Sequence, residues 1–504
     1  MLTEQECRRN RNVDGIGMLT EWECRWNRNV DGTKMSAESE RKRMEMKKKY
    51  LLAVGSLMLC MLAGCATVTI SDSEHKEVEQ TGMSSSEETA QGETASEETI
   101  QEETTSETVE AIPVFSTVNL MEGVEAELMV ETDVLPQTPM MKFGVPLFQN
   151  AVKGAKEGEN VLVSPLSAWT ALCMAEQGAA GKTKEQMEQV LHISAGDNHL
   201  NYGYQLIQRS TESEEGQLQL ANGIWIKNVN TLHVKDEFLK KNKTYFDATA
   251  YLAPFDETTL QDINHWVAEK TDGMIEEILK EIRAEEVMYL VNALSFDAEW
   301  QRIYNETEVW DDIFTSEDGT EQLVPMLHSK ESVYLEDETA VGFMKYYKGQ
   351  QYAFVALLPN EGLTMAEYVE GLTADTLQSL FENAGKGSVE VTMPKFSVDY
   401  GFSLKESLMQ MGMTDAFSED DADFHPMATS DIGNIYISRV EQNCFIAVDE
   451  RGTKAGAATA VAMANKMALM NTKKVNLNRP FVYLIVECDN YEPLFLGTLM
   501  NAEN

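Results

Sequence analysis

Basic residues, cysteines and histidines are scarce in this 504-residue chain, and each scarcity excludes a class of site. Lysine and arginine total 41 against 83 aspartates and glutamates, which gives a formal net charge of −42 at pH 7. This balance excludes most nucleic-acid binding, because contacts with phosphates need a basic surface. The 7 cysteines and 7 histidines form no CxxC pair and no HExxH motif. The sequence therefore carries no signal for a metal site, and no cofactor is expected.

Motifs of nucleophilic and phosphate-binding enzymes are also missing. No GxSxG occurs. The run Gly178-Ala-Ala-Gly181-Lys182-Thr183 resembles a phosphate loop, but Glu176 stands where that motif requires its first glycine, and a helix is predicted where a strand should precede it. His265 and His328 have no nucleophile paired with them in the sequence. We expect no catalytic residues and no enzyme, and a surface hydrolase is a remote alternative.

The first 65 residues carry a targeting signal. Residues 1–45 contain a near-duplication (MLTEQECRRNRNVDG, then MLTEWECRWNRNVDG), which we interpret as a mis-annotated leader. Residues 46–65, MKKKYLLAVGSLMLCMLAGC, join three lysines to an apolar run that is too short to span about 30 Å of hydrocarbon. The ending Leu62-Ala-Gly-Cys65 resembles a lipoprotein box and implies cleavage before Cys65 and a lipid on its thiol. A plain signal peptide is the alternative.

Residues 66–140 are rich in serine, threonine and glutamate, and few apolar side chains interrupt the tract from Ser71 to Glu110. Such a composition cannot bury enough surface to offset the entropy lost on ordering, so it predicts a disordered tether. Lipid on Cys65 followed by this tether predicts a secreted protein held at the outer face of a bacterial membrane, with its folded part at some distance.

Residues 141–504 have the helix and strand patterns of one folded domain. We expect the protein to be a monomer. Helical patterns such as FGVPLFQNAVKGA come mainly first, and strand patterns such as VMYLVNALSF, YAFVALLP and FVYLIVE come mainly later. This order predicts an α+β fold with mixed or antiparallel sheets. Cys173, Cys444 and Cys488 lie in apolar contexts, which indicates small core residues and not a disulfide framework.

Several short motifs stand in a fixed order along the folded part of the chain. They are Asn160–Ser167 (NVLVSPLS), Asn264–Ile275 (NHWVAEKTDGMI), Leu290–Trp300 (LVNALSFDAEW), Val324–Met326, Leu357–Pro359, Pro394–Phe396, Asn478–Phe481 and Pro493–Gly497. These motifs resemble those of the serpin family, and their order over about 360 residues makes a chance match negligible. The resemblance implies the serpin fold, with helices packed around a large mixed β-sheet and smaller sheets and with an exposed reactive-centre loop. It also implies inhibition of a protease, which would be the partner.

The reactive-centre loop corresponds to the small-residue stretch DERGTKAGAATAVAMANKM, residues 449–467. In serpins the first part of this loop enters the large sheet as an extra strand after cleavage. Because side chains alternate along a strand, the face that begins with Thr453 is uncharged, whereas Lys454 falls on the opposite face. The loop can therefore be buried without an unpaired ammonium. The predicted hinge residues are Glu450, Gly452, Thr453, Ala455, Ala457, Ala458 and Thr459.

The resemblance also implies the bond that a protease would cleave. Family loops place this bond about fourteen positions after the hinge glycine Gly452, which indicates Lys466–Met467. A lysine there favours trypsin-like serine proteases as targets. If the count slips, Met463 or Met467 would suit a chymotrypsin-like or elastase-like enzyme, and a cysteine protease is a further alternative. Lys473 and Lys474 lie too far along the chain.

The resemblance assigns supporting roles to residues outside the loop. Ser164, Ser167 and Asn292 match positions where the sheet opens, and Trp300 matches the point where insertion begins. Gln442 belongs to the same group, although serpins usually have a histidine there. Arg451, Lys454 and Gly456 also depart from the family pattern, which keeps open the alternative of a non-inhibitory serpin that serves as a binding module.

Overall fold

The computed structural model describes residues 116–127, 139–193, 199–212, 218–229, 231–283, 285–431, 433–453 and 472–502. All of them belong to one compact unit, Glu107–Asn504. The fold starts earlier than the sequence predicts. Val118–Asn119 pairs with a strand of the large sheet, and the side chain of Met121 is buried. Residues 116–127 therefore pack on the folded part instead of belonging to the tether, because Leu120 and Met121 supply buried apolar surface that the Ser/Thr/Glu tract before them lacks.

Nine α-helices occupy parts of the described chain. Amphipathic patterning explains most of them, and side chains cap several first turns, as Asp256 does at the sixth helix. The third helix begins at Gly181 and has no side-chain cap. The helices are α1 Pro139–Gly154, α2 Pro165–Glu176, α3 Gly181–Val190, α4 His199–Glu212, α5 Asp236–Phe246, α6 Glu257–Lys270, α7 Met365–Gly371, α8 Ala374–Glu382 and α9 Lys405–Met411.

The first sheet is mixed and has eight strands in the order β1-β5-β3-β6-β15-β16-β7, with β13 paired to β15. The pairs β3–β5 and β6–β15 are parallel and the others are antiparallel. The strands are β1 Val118–Asn119, β3 Leu218–Lys227, β5 Thr249–Ala253, β6 Met288–Phe296, β7 Ala298–Glu299, β13 Phe396–Ser403, β15 Arg439–Val448 and β16 Gly452–Thr453.

A second sheet has nine strands in the order β17-β12-β9-β10-β11-β18-β19-β2, with β8 paired to β9, and β4 and β14 form a separate pair. These strands are β2 Val161–Val163, β4 His233–Val234, β8 Val309–Thr315, β9 Glu321–Glu336, β10 Ala340–Tyr346, β11 Tyr352–Pro359, β12 Gly385–Pro394, β14 Ala428–Thr429, β17 Lys473–Asn476, β18 Phe481–Glu487 and β19 Pro493–Leu499. The predicted α+β class with a large mixed sheet is confirmed.

Helix α2 joins the two sheets. Every residue from Pro165 to Glu176 is buried, and the helix packs against β6 of the first sheet and β19 of the second. A helix that is apolar all round belongs in a core. Pro165 starts it, and the Ser164 hydroxyl accepts a hydrogen bond from the backbone N–H of Ser167 at 3.2 Å. This cap places both serines under the first sheet.

Cys173 and Cys444 are buried free thiols, as the sequence indicates, whereas Cys488 is only half-buried. In the part of the chain that the structure describes, no cluster of three or more His, Cys, Asp or Glu side chains is placed to hold a metal ion. No described helix combines the length and the apolar character that crossing a membrane requires.

Candidate functional site

The junction between β6 and β15, which we call the seam, is closed only in its lower part. The two parallel strands pair over five positions, from Arg439 opposite Tyr289 to Asn443 opposite Ala293. Above this point, residues 444–447 and 294–297 face each other without pairing in the described register. The upper seam is therefore a place where one more strand fits between β6 and β15.

Strand β16 occupies the top of the upper seam. It runs antiparallel to its neighbours on both sides, with Thr453 opposite Val448 and also opposite Ala298. Beside it, Gly452 lies so close to β7 that a Cβ atom there would be 2.0 Å from the carbonyl oxygen of Ala298. Glycine is required at this position because no larger residue fits the approach. The predicted hinge glycine thus allows the chain to pass between two strands.

Thr453 is already inside the sheet. Its side chain is 1% exposed, and its hydroxyl lies 2.6 Å from the hydroxyl of Tyr347. Burial raises the pKa of Tyr347 well above its usual value, so the phenol stays protonated and can take part in this bond. The tyrosine ring in turn stacks on Trp300 with centroids 4.5 Å apart. Tyr347 is a site residue that sequence reasoning missed.

Trp300 and Tyr304 hold the turn that precedes β16. The backbone N–H of Trp300 donates to the carbonyl of Arg451 at 2.8 Å, and its indole N–H donates to the carbonyl of Asp449 at 2.9 Å. The N–H of Tyr304 donates to the carbonyl of Glu450 at 2.9 Å. The three carbonyls of the turn are therefore bound from one side, at the place that the family resemblance assigns to the start of insertion.

The Glu450 side chain contributes an ion pair to the same turn. Its carboxylate lies 2.5 Å from the ammonium of Lys395, which follows β12. Burial alone would raise the pKa of Glu450, but the hydrogen bond and charge of Lys395 lower it below the usual value. Glu450 is thus held ionised and anchored to a neighbouring segment.

The ammonium of a buried lysine, Lys345, packs against the rings of both Trp300 and Tyr304. The Lys345 side chain is 2% exposed, and its ammonium is 2.9 Å from the Glu331 carboxylate. It also lies 4.4 Å from the centre of the Tyr304 ring and 5.3 Å from that of Trp300. Burial lowers the pKa of Lys345, and Glu331 opposes that effect only in part. The sequence offered one sign that Lys345 is a site residue, namely a lysine inside the otherwise apolar strand AVGFMKY.

Ser164, Ser167, Asn292 and Gln442 meet under the closed part of the seam. The Gln442 carboxamide accepts from the backbone N–H of Ser164 at 2.9 Å and donates to its carbonyl at 2.9 Å. The Ser167 hydroxyl donates a hydrogen bond to the carboxamide oxygen of Asn292. The carboxamide nitrogen of Asn292 in turn donates to the carboxamide oxygen of Asn222. All five side chains are at most 3% exposed. The four residues that the resemblance grouped therefore form one network, which Asn222, missed in the sequence, extends to β3.

The remaining predicted loop residues lie outside the described residues. These are Ala455, Ala457, Ala458, Thr459, Lys466 and Met467, together with the predicted lipid site Cys65. The next described residues begin at 472, just before β17. In β17 the Lys473 ammonium lies 2.8 Å from the Glu336 carboxylate, and the Lys474 ammonium lies 3.3 Å from the Glu390 carboxylate. Both lysines belong to β17, which pairs with β12.

Comparisons with known proteins agree on one family. The family model described as serpin (serine protease inhibitor) matches residues 138–502. The chain is 31% identical over 360 residues to an uncharacterised serpin-like protein of Thermococcus kodakarensis, covering 69% of this chain and 82% of that protein. It is 31% identical over 357 residues to the plasma serine protease inhibitor of Bos taurus, covering 69% of this chain and 86% of the bovine protein.

Solved structures show the same fold. The crystal structure of tengpin, a thermophilic serpin, in its native state matches with a TM-score of 0.72 and 40% identity, covering 77% of this chain and 100% of tengpin. Tengpin in its latent state matches with a TM-score of 0.65, covering 74% of this chain and 100% of that one.

Proposed function

The chain belongs to the serpin family, whose members are generally protease inhibitors rather than enzymes, and we propose that it inhibits serine proteases irreversibly. In this proposal a protease cleaves the reactive-centre loop, the loop inserts into the first sheet, and the enzyme stays attached as an acyl-enzyme. The protein supplies no catalytic residue. It supplies a substrate whose cleavage releases a conformational change.

The position of Thr453 is the single observation that carries this proposal. Thr453 lies between β7 and β15 with its side chain buried, at the head of the unpaired upper seam. If the strand continues in the same register, Ala455, Ala457 and Thr459 share the inward face with Thr453, because side chains alternate. All four are small and uncharged, so burial leaves no unpaired charge. In that register Lys454 would face the other side.

Insertion inhibits the protease by moving it. About fourteen inserted residues at about 3.3 Å each displace the attached enzyme by roughly 45 Å, along the length of the sheet. The pull distorts the arrangement of donors and triad residues on which deacylation depends, and loss of that geometry costs orders of magnitude in rate. The uncleaved inhibitor must be kinetically trapped, with its extra strand position still open.

The proposed cleavage site is Lys466–Met467, and the proposed targets are trypsin-like proteases. Their specificity pocket carries a carboxylate that pairs with lysine. Cleavage after Met463 or Met467 would indicate a chymotrypsin-like or elastase-like target. Because a thioester can also be trapped, cysteine proteases are a further class to test.

The proposed location is the outer face of a bacterial membrane, with Cys65 lipidated. The motivation is the lipoprotein box and the acidic tether that follows it. Metabolic labelling with a fatty acid tests this proposal: label should enter the protein and be lost in Cys65→Ser. Label that persists in the variant would contradict the assignment.

A non-inhibitory binding protein with the same fold is the second candidate. Arg451 and Lys454 favour it, because serpins commonly have acidic residues there, and the Arg451 guanidinium lies 3.3 Å from Glu299 of β7. Heat resistance separates the two candidates. An inserting serpin becomes much more heat-resistant once its loop is cut, whereas a non-inserting one does not.

Trypsin provides the direct test of inhibition. The purified protein is mixed with trypsin and run on a denaturing gel. A stable band near the summed masses, with a cut after Lys466 mapped by mass spectrometry, supports the mechanism and the cleavage site together. Cleavage in the loop without such a band, repeated with proteases of the other classes, would refute inhibition.

A further inference from the structure

The register of β16 defines how far the loop can insert before it must separate paired strands. Thr453 lies opposite Val448 on one side and Ala298 on the other. Each following loop residue would move one position down both strands. Residues 454–457 would therefore lie between 444–447 and 294–297, which do not pair with each other. Insertion to Ala457 breaks no pair between β6 and β15.

From Ala458 onward, insertion meets the closed part of the seam. Ala458 would fall between Asn443 and Ala293, the first of the five paired positions. Ala462 would fall between Arg439 and Tyr289, the last of them. We counted down β15 from Val448 and down β6 from Ala298. At each of the five β6–β15 pairs, both counts place the same loop residue between the two paired residues. The structure thus divides insertion into an unobstructed upper phase and an obstructed lower phase.

The last position is held by a group of side chains that we call the lower-seam cluster, Arg439, Glu286 and Tyr289. The Arg439 guanidinium from β15 bonds the Glu286 carboxylate. The Tyr289 hydroxyl from β6 donates to the same carboxylate, and the guanidinium lies over the Tyr289 ring, 5.6 Å from its centre. The side chains of Arg439 and Glu286 are only 16% and 10% exposed. The cluster therefore connects the two strands with a partly desolvated, charge-assisted bond.

Glu286 is fixed on the β6 side of the seam. Its carboxylate accepts a hydrogen bond from the backbone N–H of Arg283 at 2.9 Å. Glu286 lies two residues before Met288, the first residue of β6, so it moves with that strand. A strand inserted between β6 and β15 would roughly double their spacing, from about 4.8 Å to about 9.6 Å. The bond between Arg439 and Glu286 cannot keep its present geometry across that distance. Completion of insertion therefore requires the cluster to separate.

We infer that the lower-seam cluster is a brake on loop insertion, which holds the last of the five paired positions closed until the bond between Arg439 and Glu286 breaks. The inference rests on the proposed function, because a brake has a role only if the loop inserts. The cluster opposes premature insertion in the intact inhibitor. After cleavage it slows the second phase, and so it determines how often insertion precedes release of the protease. Arg439 is a positioning residue in this role.

Two synthetic peptides separate the two phases in the full-length protein. Because Thr453 of the protein already occupies its own position in the sheet, both peptides begin at the next residue. One carries residues 454–457 (KAGA) and covers the upper phase, and the other carries residues 454–464 (KAGAATAVAMA) and covers both. Each peptide is labelled with a fluorophore, and its rate of association with the uncleaved protein is measured by anisotropy. The variant Arg439→Met keeps the length of the side chain and removes the bond. Glu286→Gln is a second variant, which keeps an acceptor for Tyr289 and Arg283.

Arg283→Met is the matched control. It removes a cation from the same segment, but the Arg283 side chain pairs with Glu281 at 2.6 Å on the surface and does not cross the seam. We expect Arg439→Met and Glu286→Gln to accelerate association of the long peptide about tenfold, the effect of losing one charge-assisted hydrogen bond. The short peptide and Arg283→Met should keep the wild-type rates.

Two results would overturn the brake. Unchanged association of the long peptide with both cluster variants would show that the bond does not limit insertion. Equal acceleration of the short and long peptides would show general loosening of the sheet. Failure of the proposed function gives a different pattern: the wild-type protein would bind neither peptide and would gain no heat resistance when its loop is cut.

Discussion

The hydroxyl of Thr453 lies 2.6 Å from that of Tyr347, on the inner side of the first sheet. In the proposed mechanism Thr453 is the first residue of the inserting segment, and it already lies in the sheet before cleavage. Insertion would then extend a strand whose direction and register Thr453 already defines, and Thr453 would keep its present partners.

A charge at position 453 should convert the inhibitor into a substrate. Thr453→Arg would require an unpaired guanidinium at a site that is 1% exposed, at a cost of several kcal/mol. We expect trypsin to cleave the variant without forming a stable complex. Thr453→Val is the control, since it keeps the shape, loses one hydrogen bond worth about 1 kcal/mol, and should still form the complex. Denaturing gels measure both, and a normal complex yield from Thr453→Arg would refute insertion at this site.

Replacement of Gln442 by histidine should make the stability of the sheet depend on pH. Gln442 both accepts from and donates to the backbone of Ser164, and its carboxamide does not titrate. A protonated imidazole has no acceptor, so the N–H of Ser164 would lose its partner as the pH falls through about 6.5. We expect Gln442→His to lose about 1–3 kcal/mol between pH 8 and pH 5.5 relative to the wild-type protein. Parallel thermal melting profiles of the two proteins across this range would contradict the prediction.

Lys466 should determine which protease is inhibited. Lys466→Ala removes the side chain that a carboxylate-containing specificity pocket recognises, so complex formation with trypsin should fall by up to about 10⁴-fold. Lys474→Ala is the control, because Lys474 lies in β17 beside Glu390 and should leave the rate unchanged. Rates of trypsin inhibition measure both effects. Inhibition that survives Lys466→Ala would place the cleaved bond elsewhere, with Met463 and Met467 next in order.

Acid should release the lower-seam cluster. Burial alone would raise the pKa of Glu286, but hydrogen bonds from Tyr289, the backbone of Arg283 and Arg439 lower it below the usual value. A carboxylate with a lowered pKa contributes its stabilisation above the usual range near pH 4.3, and that contribution is lost as the pH falls through the lowered value. The cluster should therefore persist between pH 7 and pH 5 and separate only below that range.

Association of the long peptide as a function of pH tests this behaviour. The charged and titratable groups around Glu286 are Arg439, Tyr289, Arg283 and Glu441, and Glu281 pairs with Arg439. Burial raises the pKa of Glu441. Glu286→Gln serves as the reference because it keeps these neighbours and does not titrate. We expect the wild-type rate to rise toward that of Glu286→Gln below about pH 4. A constant ratio of the two rates from pH 7 to pH 3.5 would show that Glu286 does not control the release.

The sequence by itself determined the fold class and the local character of the hinge. Motif order over residues 160–497 identified the family, and alternation along residues 453–459 identified an uncharged face. The second property is local, because strand alternation and side-chain size depend only on neighbours in the chain. The burial of Thr453 agrees with the face that alternation assigned to it. The grouping of Ser164, Ser167, Asn292 and Gln442 came from family resemblance, since nothing in their spacing brings them together.

Only the tertiary structure decided which distant residues hold the seam. Lys345 lies in β10 and Tyr347 directly follows it, whereas Asn222 lies in β3. The first two gain roles only because β10 lies beside the hinge, and Asn222 only because β3 lies beside β6. The bond between Arg439 and Glu286 joins residues 153 positions apart. Charge pairs and hydrogen bonds of this kind depend on distances of a few ångströms between separate elements. Those distances follow from sheet order and register, which no local sequence pattern contains.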